Sequence, residues 1–371
     1  MILQKLRIVN YRSYTNSKFE FHKQLNFLNG ENGSGKTSIL EAVHFLALTK
    51  SFRTHSDSDV VRNSELFFQI FGIFNDNSGK ENSVNVNFSK TEGKRIFFNK
   101  VTLKKRVDMV GRIPVIILSP GNQRVTEGGP AGRRSFVNRI VAQIDKKYFS
   151  SLIEYKNKLG QRNLILNSYR EKGLSYYDIY IEAYDELFAE SAKNIQMGRI
   201  NFIEKFDKVL KKKYKKISHI ECDVSIKINY NVNANEVSFK ETFLNRLKER
   251  FSRDIVFGRT SCGPHLDNVM IIFDGKEIRQ IGSQGEHKIV LVVLKMAEGQ
   301  FIEGRLKKSI IFLLDDLFSL LDVKHCMKII DEISSDNQVF ITSTDLNGLY
   351  NYGFKRGDSN SKVFELPVGV S

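Results

Sequence analysis

Proline is scarce, with five in 371 residues and none between Pro130 and Pro264. So long a stretch without a helix breaker leaves room for long helices. Cysteine is rarer still. Cys222, Cys262 and Cys326 lie far apart, are odd in number and form no CxxC pair, which argues against a disulfide framework and a zinc site. No apolar run approaches the ~20 residues that a membrane helix needs. The N-terminal MILQKLRIVNYRSY carries Lys5 and Arg7 without an apolar core of signal-peptide length. A reducing cytoplasm without membrane contact is therefore the expected setting. Internal repeats and low-complexity linkers are also missing. Acidic residues are outnumbered, 42 against 57 Lys and Arg, giving a formal net charge of +15. That excess favours a polyanionic partner such as nucleic acid or an acidic membrane surface.

What is present is an α/β pattern with an interruption. Short strand-like runs occupy the first part: Ile2 to Val9, Lys18 to Phe21, Gln24 to Leu28, then FFQIFGIF and SVNVNFS between Phe67 and Asn99, and PVIIL at Pro114 to Leu118. The middle reads as amphipathic helices, Tyr176 to Tyr214 for example, interrupted by strand-like DVSIKINY. From Asn268 strands and helices alternate again. The expected organisation is an α/β domain built from residues 1–124 and 265–371, with a compact, mainly helical lobe, 125–264, inserted between them.

Gly30-Glu31-Asn32-Gly33-Ser34-Gly35-Lys36-Thr37 matches GxxxxGK[ST] in full, after the apolar strand LNFLN and before the helical run SILEAVHFLAL. Glycines let the backbone turn tightly enough for successive N–H groups to point at phosphate oxygens. The following helix, opening at Ser38, adds its positive N-terminal dipole. Lys36 is expected to bridge the β- and γ-phosphates of ATP, and the Thr37 hydroxyl to bind Mg²⁺. A dinucleotide site is disfavoured, because Lys36, Thr37 and Ser38 stand where its third glycine belongs.

The run Ile310 to Asp316 is an apolar strand ending in two carboxylates. Asp315 is assigned to the metal, through water, and Asp316 to the general base that polarises the attacking water. Further motifs surround these. Gly282-Ser283-Gln284-Gly285-Glu286 opens a helix with Ser283 as N-cap and Glu286 three residues on, as in a capping box.

With GENGSGKT, SQGE, LLDDLFSLLD and QVFITSTD in this order, the chain resembles the RecF family, a branch of the ABC/SMC-like ATPases. TKSFRTHSDSDVVR, GGPAGRRSFVNRIV and SCGPHLDNV select that branch, and the likeness runs from Met1 to the final strand. The resemblance implies an ABC/SMC-type head, a mixed sheet with flanking helices, plus the helical lobe. Roughly 245 residues without a sustained heptad separate P-loop and signature, so no long coiled coil or zinc hook is expected. The resemblance also implies a homodimer that forms with ATP. Ser283, Gln284, Gly285 and Glu286 of one copy would meet the γ-phosphate bound at Lys36 of the other, and Leu320, Leu321 and Asp322 would form the D-loop crossing the same interface. Arg12 would lie near the nucleotide. Thr344 stands at the switch position where many relatives carry histidine, and Gln123 is the Q-loop candidate, beside Asn122 in place of an acid. Aspartate at 316 is one methylene shorter than the glutamate of many relatives, so slow hydrolysis is expected.

The basic clusters Lys104-Lys105-Arg106, Arg133-Arg134 and Lys211-Lys212-Lys213 are candidate DNA contacts. With no base-reading motif, binding should be independent of sequence and weakened by salt. Double-stranded and gapped DNA, RecR-like and RecO-like mediators and indirect help to RecA follow from the resemblance alone. An ATP-binding scaffold without hydrolysis and a small-molecule kinase remain as alternatives. The latter has no use for a γ-phosphate contact in trans.

Overall fold

The computed structural model describes residues 1–76, 78–217, 223–317, 323–344 and 359–367. The chain divides into two compact units, one from residues 1–123 and 283–371, the other from 124–282.

The first unit holds two sheets. Six antiparallel strands lie in the order β2-β1-β4-β5-β6-β7: β1 (Ile2–Tyr11), β2 (Tyr14–Glu20), β4 (Phe67–Asn75), β5 (Glu81–Ser89), β6 (Gly93–Phe98) and β7 (Val101–Thr102). In β4, Phe68, Ile70 and Phe74 are buried while their neighbours are not, the period-2 pattern of a sheet with one covered face. Five parallel strands form the other sheet in the order β14-β3-β13-β12-β8: β3 (Leu25–Asn29), β8 (Val115–Leu118), β12 (Ile311–Leu314), β13 (Gln338–Ser343) and β14 (Ser361–Glu365). β8, β12 and β13 are buried at every position, as parallel strands covered on both faces must be.

Helix α1 (Lys36–Leu48) packs against strands of both sheets, and its side chains from Ser38 to Ala47 are all buried. That is why SILEAVHFLAL is apolar but for Ser38, Glu41 and His44, all three of them buried with the rest. The Gln338 side chain joins the sheets. Its Oε1 accepts from Leu3 N at 2.7 Å, and its Nε2 donates to Leu3 O and His22 O at 2.8 Å each.

The second unit carries α2 (Pro130–Ile144), α3 (Lys146–Glu171), α4 (Ile179–Ile217), α5 (Phe239–Glu249), α6 (Phe251–Phe257) and the short α7 (Ile278–Ile281). A small antiparallel sheet accompanies them, in the order β11-β10-β9: β9 (Val224–Asn229), β10 (Asn268–Phe273) and β11 (Lys276–Glu277). The lobe thus ends at Gly282 and not at 264, because β10 pairs along its whole length with β9 of the lobe. Among its described residues the first unit also holds α8 (Gln284–Leu306) and α9 (Val323–Ser334). No helix among the described residues is long and apolar enough to cross a membrane.

Buried ion pairs hold the lobe. Arg162 is fully buried and donates to Asp185 at 2.7 and 3.1 Å, to Asp254 at 3.0 Å and to Thr260 Oγ1 at 3.1 Å. Arg199 reaches Asp267 Oδ2, Pro264 O and Asn138 Oδ1. Tyr155 Oη and His265 Nδ1 lie 2.6 Å apart, with His265 Nε2 3.1 Å from Thr260 O. Burial lowers the His265 imidazole from 6.5 to about 4. The fold therefore favours the neutral ring. This stabilisation is complete above about pH 6.5 and is lost as the pH falls through 4. Denaturant titrations between those limits should show stability falling less steeply in His265→Gln than in the parent, by up to about 1.4 kcal/mol per pH unit. Identical slopes would show that His265 does not titrate on unfolding.

Candidate nucleotide and metal site

The site grows from the C-terminal ends of the parallel strands. β3 ends at Asn29 and the chain enters a loop with Gly30, Gly33 and Gly35 at φ 155, 87 and 90°. A Cβ on Gly35 would stand 2.7 Å from Tyr14 Oη, so the position excludes any side chain on spatial grounds as well as conformational ones. Gly35 is also the N-cap of α1. The Lys36 ammonium folds back over the loop and donates to Gly30 O at 2.5 Å and Glu31 O at 2.8 Å. Burial lowers its pKa, and the nearby Asp315 and Asp316 oppose that shift.

β12 delivers the acidic pair beside this loop. Thr37 Oγ1 donates to Asp315 Oδ1 at 2.8 Å, and Thr342 Oγ1 donates to the same oxygen at 3.0 Å. Burial raises the Asp315 pKa from its ordinary value, against the pull of these two hydroxyls. Asp316 follows at φ 54° and is exposed. A cavity of about 670 Å³ is lined by Asn32, Gly33, Gly35, Lys36, Thr37 and Ser38 on one side and by Asp315, Asp316, Thr342 and Thr344 on another. Gly30, Glu31 and Ser34 shape the loop without lining it.

Arg12 also lines the cavity, in a left-handed conformation at φ 55°. Its guanidinium makes a bidentate pair with Glu41 at 2.8 and 2.7 Å and donates to Asp59 O at 2.8 Å. Sequence reasoning missed both Glu41 and Arg53. Glu41 is fully buried in α1 and also accepts from Ser51 Oγ. Arg53 lines the cavity and stands 3.8 Å from the same carboxylate. The single acid in a mostly apolar helix was the available signal, since buried carboxylates require a cation.

Ser283 caps α8 as expected. Its N–H donates to Glu286 Oε2 at 2.7 Å and Glu286 N–H donates to Ser283 Oγ at 3.3 Å. These bonds lower the Glu286 pKa. Ser283, Gln284 and Gly285 are exposed, and Gly285 faces open space. Within one copy the signature is not among the cavity-lining residues. Neither is Gln123, while Asn122 Oδ1 accepts from Ser119 N at 3.0 Å. Leu320, Leu321 and Asp322 lie outside the described residues.

Of the basic candidates, Lys104, Lys105 and Lys212 are exposed. Arg106 is exposed too, with Nε bonded to Thr49 Oγ1 at 3.1 Å. Lys211 pairs with Asp207 at 3.2 Å, Arg134 donates to Asp267 O at 2.8 Å, and Lys213 is half-buried. Arg133 requires a correction. It is 2% exposed, donates to Val269 O and Gly128 O, and pairs with Glu277 at 3.0 Å, so it ties α2 to the small sheet and faces no solvent.

The residues present fit a magnesium triphosphate. Thr37 Oγ1 and Asp315 Oδ1 form a hard-oxygen donor pair beside the amide-lined loop. Among the described residues no cluster of three His, Cys, Asp or Glu could hold a metal alone. A cation here would take its other ligands from phosphate and water, as magnesium does.

The family model described as RecF/RecN/SMC N terminal domain matches residues 2–366. The DNA replication and repair protein RecF of Chloroherpeton thalassium is 33% identical over 352 residues, 93% of this chain and 95% of its own. That of Prosthecochloris aestuarii is 32% identical over 94% of this chain and 95% of its own. A solved structure of the recombination mediator protein RecF–ATP in the RecFOR pathway matches with TM-score 0.89 at 27% identity, covering 99% of this chain and 96% of that one. An Smc head domain from Pyrococcus furiosus, at 17% identity and TM-score 0.55, shares the fold.

Lys36→Ala should abolish ATP binding in a calorimetric titration while leaving nucleotide-free thermal unfolding close to that of the parent. Gly35→Ala should lose both, because its Cβ meets Tyr14 in a left-handed conformation. Parental ATP affinity in either variant would remove the loop from the account.

Proposed function

Because this chain belongs to the RecF family, we propose that it is a cytoplasmic, ATP-gated DNA-binding protein of recombinational repair and replication-fork maintenance. In this reading two copies close on ATP, hold double-stranded DNA near gaps without reading its sequence, and reopen after slow, DNA-dependent hydrolysis. RecO-like and RecR-like mediators would be its partners, and help in loading RecA its output. The relatives support this through their description as DNA replication and repair proteins and through the solved RecF–ATP structure of the RecFOR pathway.

One observation carries the reading: Thr37 and Asp315, 278 positions apart in sequence, meet at 2.8 Å beside the loop that Lys36 closes. With ATP and magnesium bound, the site gains a γ-phosphorus whose surrounding charge the cation neutralises. The loop amides and Lys36 orient the triphosphate. Thr37 and Asp315 would hold the metal, Asp315 through water, as a pair of hard oxygen donors. Asp316 holds the attacking water and takes its proton. The exposed cap Ser283, with open space at Gly285, is available to a second copy's γ-phosphate. Each copy would thus complete the other's site across a two-fold axis. A small-molecule kinase has no need of such a cap.

Sedimentation with ATP, ADP and gapped duplex tests assembly and DNA preference together. The parent should dimerise with ATP and not with ADP, and its DNA binding should weaken steeply with salt. Asp316→Asn should lower turnover by at least about a hundredfold, the usual contribution of a general base, and trap the ATP dimer. Parental turnover in that variant would remove Asp316 from the base role. Ser283→Arg should bind ATP yet stay monomeric, and a normal ATP dimer would exclude the contact in trans.

A further inference from the structure

We propose that Thr342 is the positioning residue of the acidic pair: its hydroxyl holds the left-handed turn that brings Asp316 to the nucleotide cavity while Asp315 stays in line with its strand. This deepens the reading above and rests on Asp315 and Asp316 as metal and base residues.

Consecutive side chains of an extended strand point to opposite faces. β12 remains in register through Leu314, opposite Ile341 and Leu118, and Asp315 N–H still donates to Leu118 O at 2.8 Å. Had the strand continued, Asp316 would face away from Asp315. Both line the same cavity instead, because Asp316 turns to φ 54°. Residues other than glycine enter that region uncommonly and at a cost, which aspartate bears better than most, so a hydrogen bond that holds the turn counts.

Thr342 supplies the support. The Asp316 N–H donates to Thr342 Oγ1 at 2.8 Å, and Thr342 Oγ1 lies 3.0 Å from Asp315 Oδ1. An N–H can only donate, so the hydroxyl accepts there and must give its own hydrogen to the Asp315 carboxylate. One side chain thereby fixes the backbone of one acid and the carboxylate of the other. It can do so rigidly. Thr342 is 2% exposed, sits in β13 opposite Leu28 of β3, and is β-branched, with χ1 restricted by its surroundings. Thr342 follows the apolar Val339 to Ile341 and is itself buried, so its hydroxyl needs partners within the protein, and the two aspartates supply them.

Thr342→Val keeps the shape and removes the hydroxyl, whereas Thr342→Ser keeps the hydroxyl. Two measurements on both variants, with Asp316→Asn in parallel, decide the matter. In nucleotide-free protein, hydrogen exchange at the Asp316 amide should accelerate at least about tenfold in Thr342→Val and stay near parental in Thr342→Ser. With ATP and gapped duplex, kcat should fall at least about tenfold in Thr342→Val at a KM within about twofold of the parent, and serine should restore it. Unchanged exchange in Thr342→Val overturns the proposal. So does equal impairment of the serine and valine variants, which would assign the effect to packing. Retained turnover in Asp316→Asn would defeat the base reading, and the exchange measurement would still decide whether Thr342 holds the turn.

Discussion

The hydrogen bond from Thr37 Oγ1 to Asp315 Oδ1 is the constraint on which the site depends. It joins the first turn of α1 to the end of β12, and neither element alone carries any chemistry. Two parallel registers bring the two together: β3 with β13, and β13 with β12. All three strands run in one direction, so the loop after β3 and the acids after β12 emerge at the same edge. This is where open α/β sheets bind ligands, outside the carboxyl ends of their strands. A shift of one residue between β12 and β13 would send Asp315 to the other face of the sheet.

A second layer keeps that edge in place. Gln338 fastens β13 to β1 with two hydrogen bonds to Leu3 and adds a third to His22 O, and α1 packs against both sheets. Inside α1, Glu41 gathers Arg12 and Ser51, with Arg53 nearby, so the antiparallel sheet and the segment after the helix both report to the nucleotide cavity. A buried carboxylate without those cations would be costly, which makes the cavity wall and the helix interior parts of one electrostatic unit. The lobe is organised by the same means. Segments around Arg133 and Asp267 meet in a network of buried side chains and backbone carbonyls, with Arg199 at its centre.

The phosphate loop, the acidic strand and the capping box were legible because each is a local pattern whose meaning survives without its partners. Position in space was not. The run NVMIIFDGK looks like a head strand by composition, yet it pairs with β9 some forty residues earlier, and no local feature specifies that choice. Arg133 looks like half of a basic patch until burial gives it three partners. Glu41 was visible as the one acid of its helical run, and Thr342 as a polar residue closing an apolar strand. Their roles follow only from what faces them: two arginines for the first, two consecutive aspartates for the second.

The most direct test of the central claim is the magnesium dependence of ATP affinity, titrated with and without magnesium for the parent, Thr37→Val and Asp315→Ala. Magnesium should tighten ATP binding to the parent by at least about tenfold, and each substitution should remove most of that gain while leaving metal-free ATP binding unchanged or tighter. An undiminished magnesium gain in both variants would contradict the account, because the hydroxyl and carboxylate that meet at this edge would then not be holding the metal.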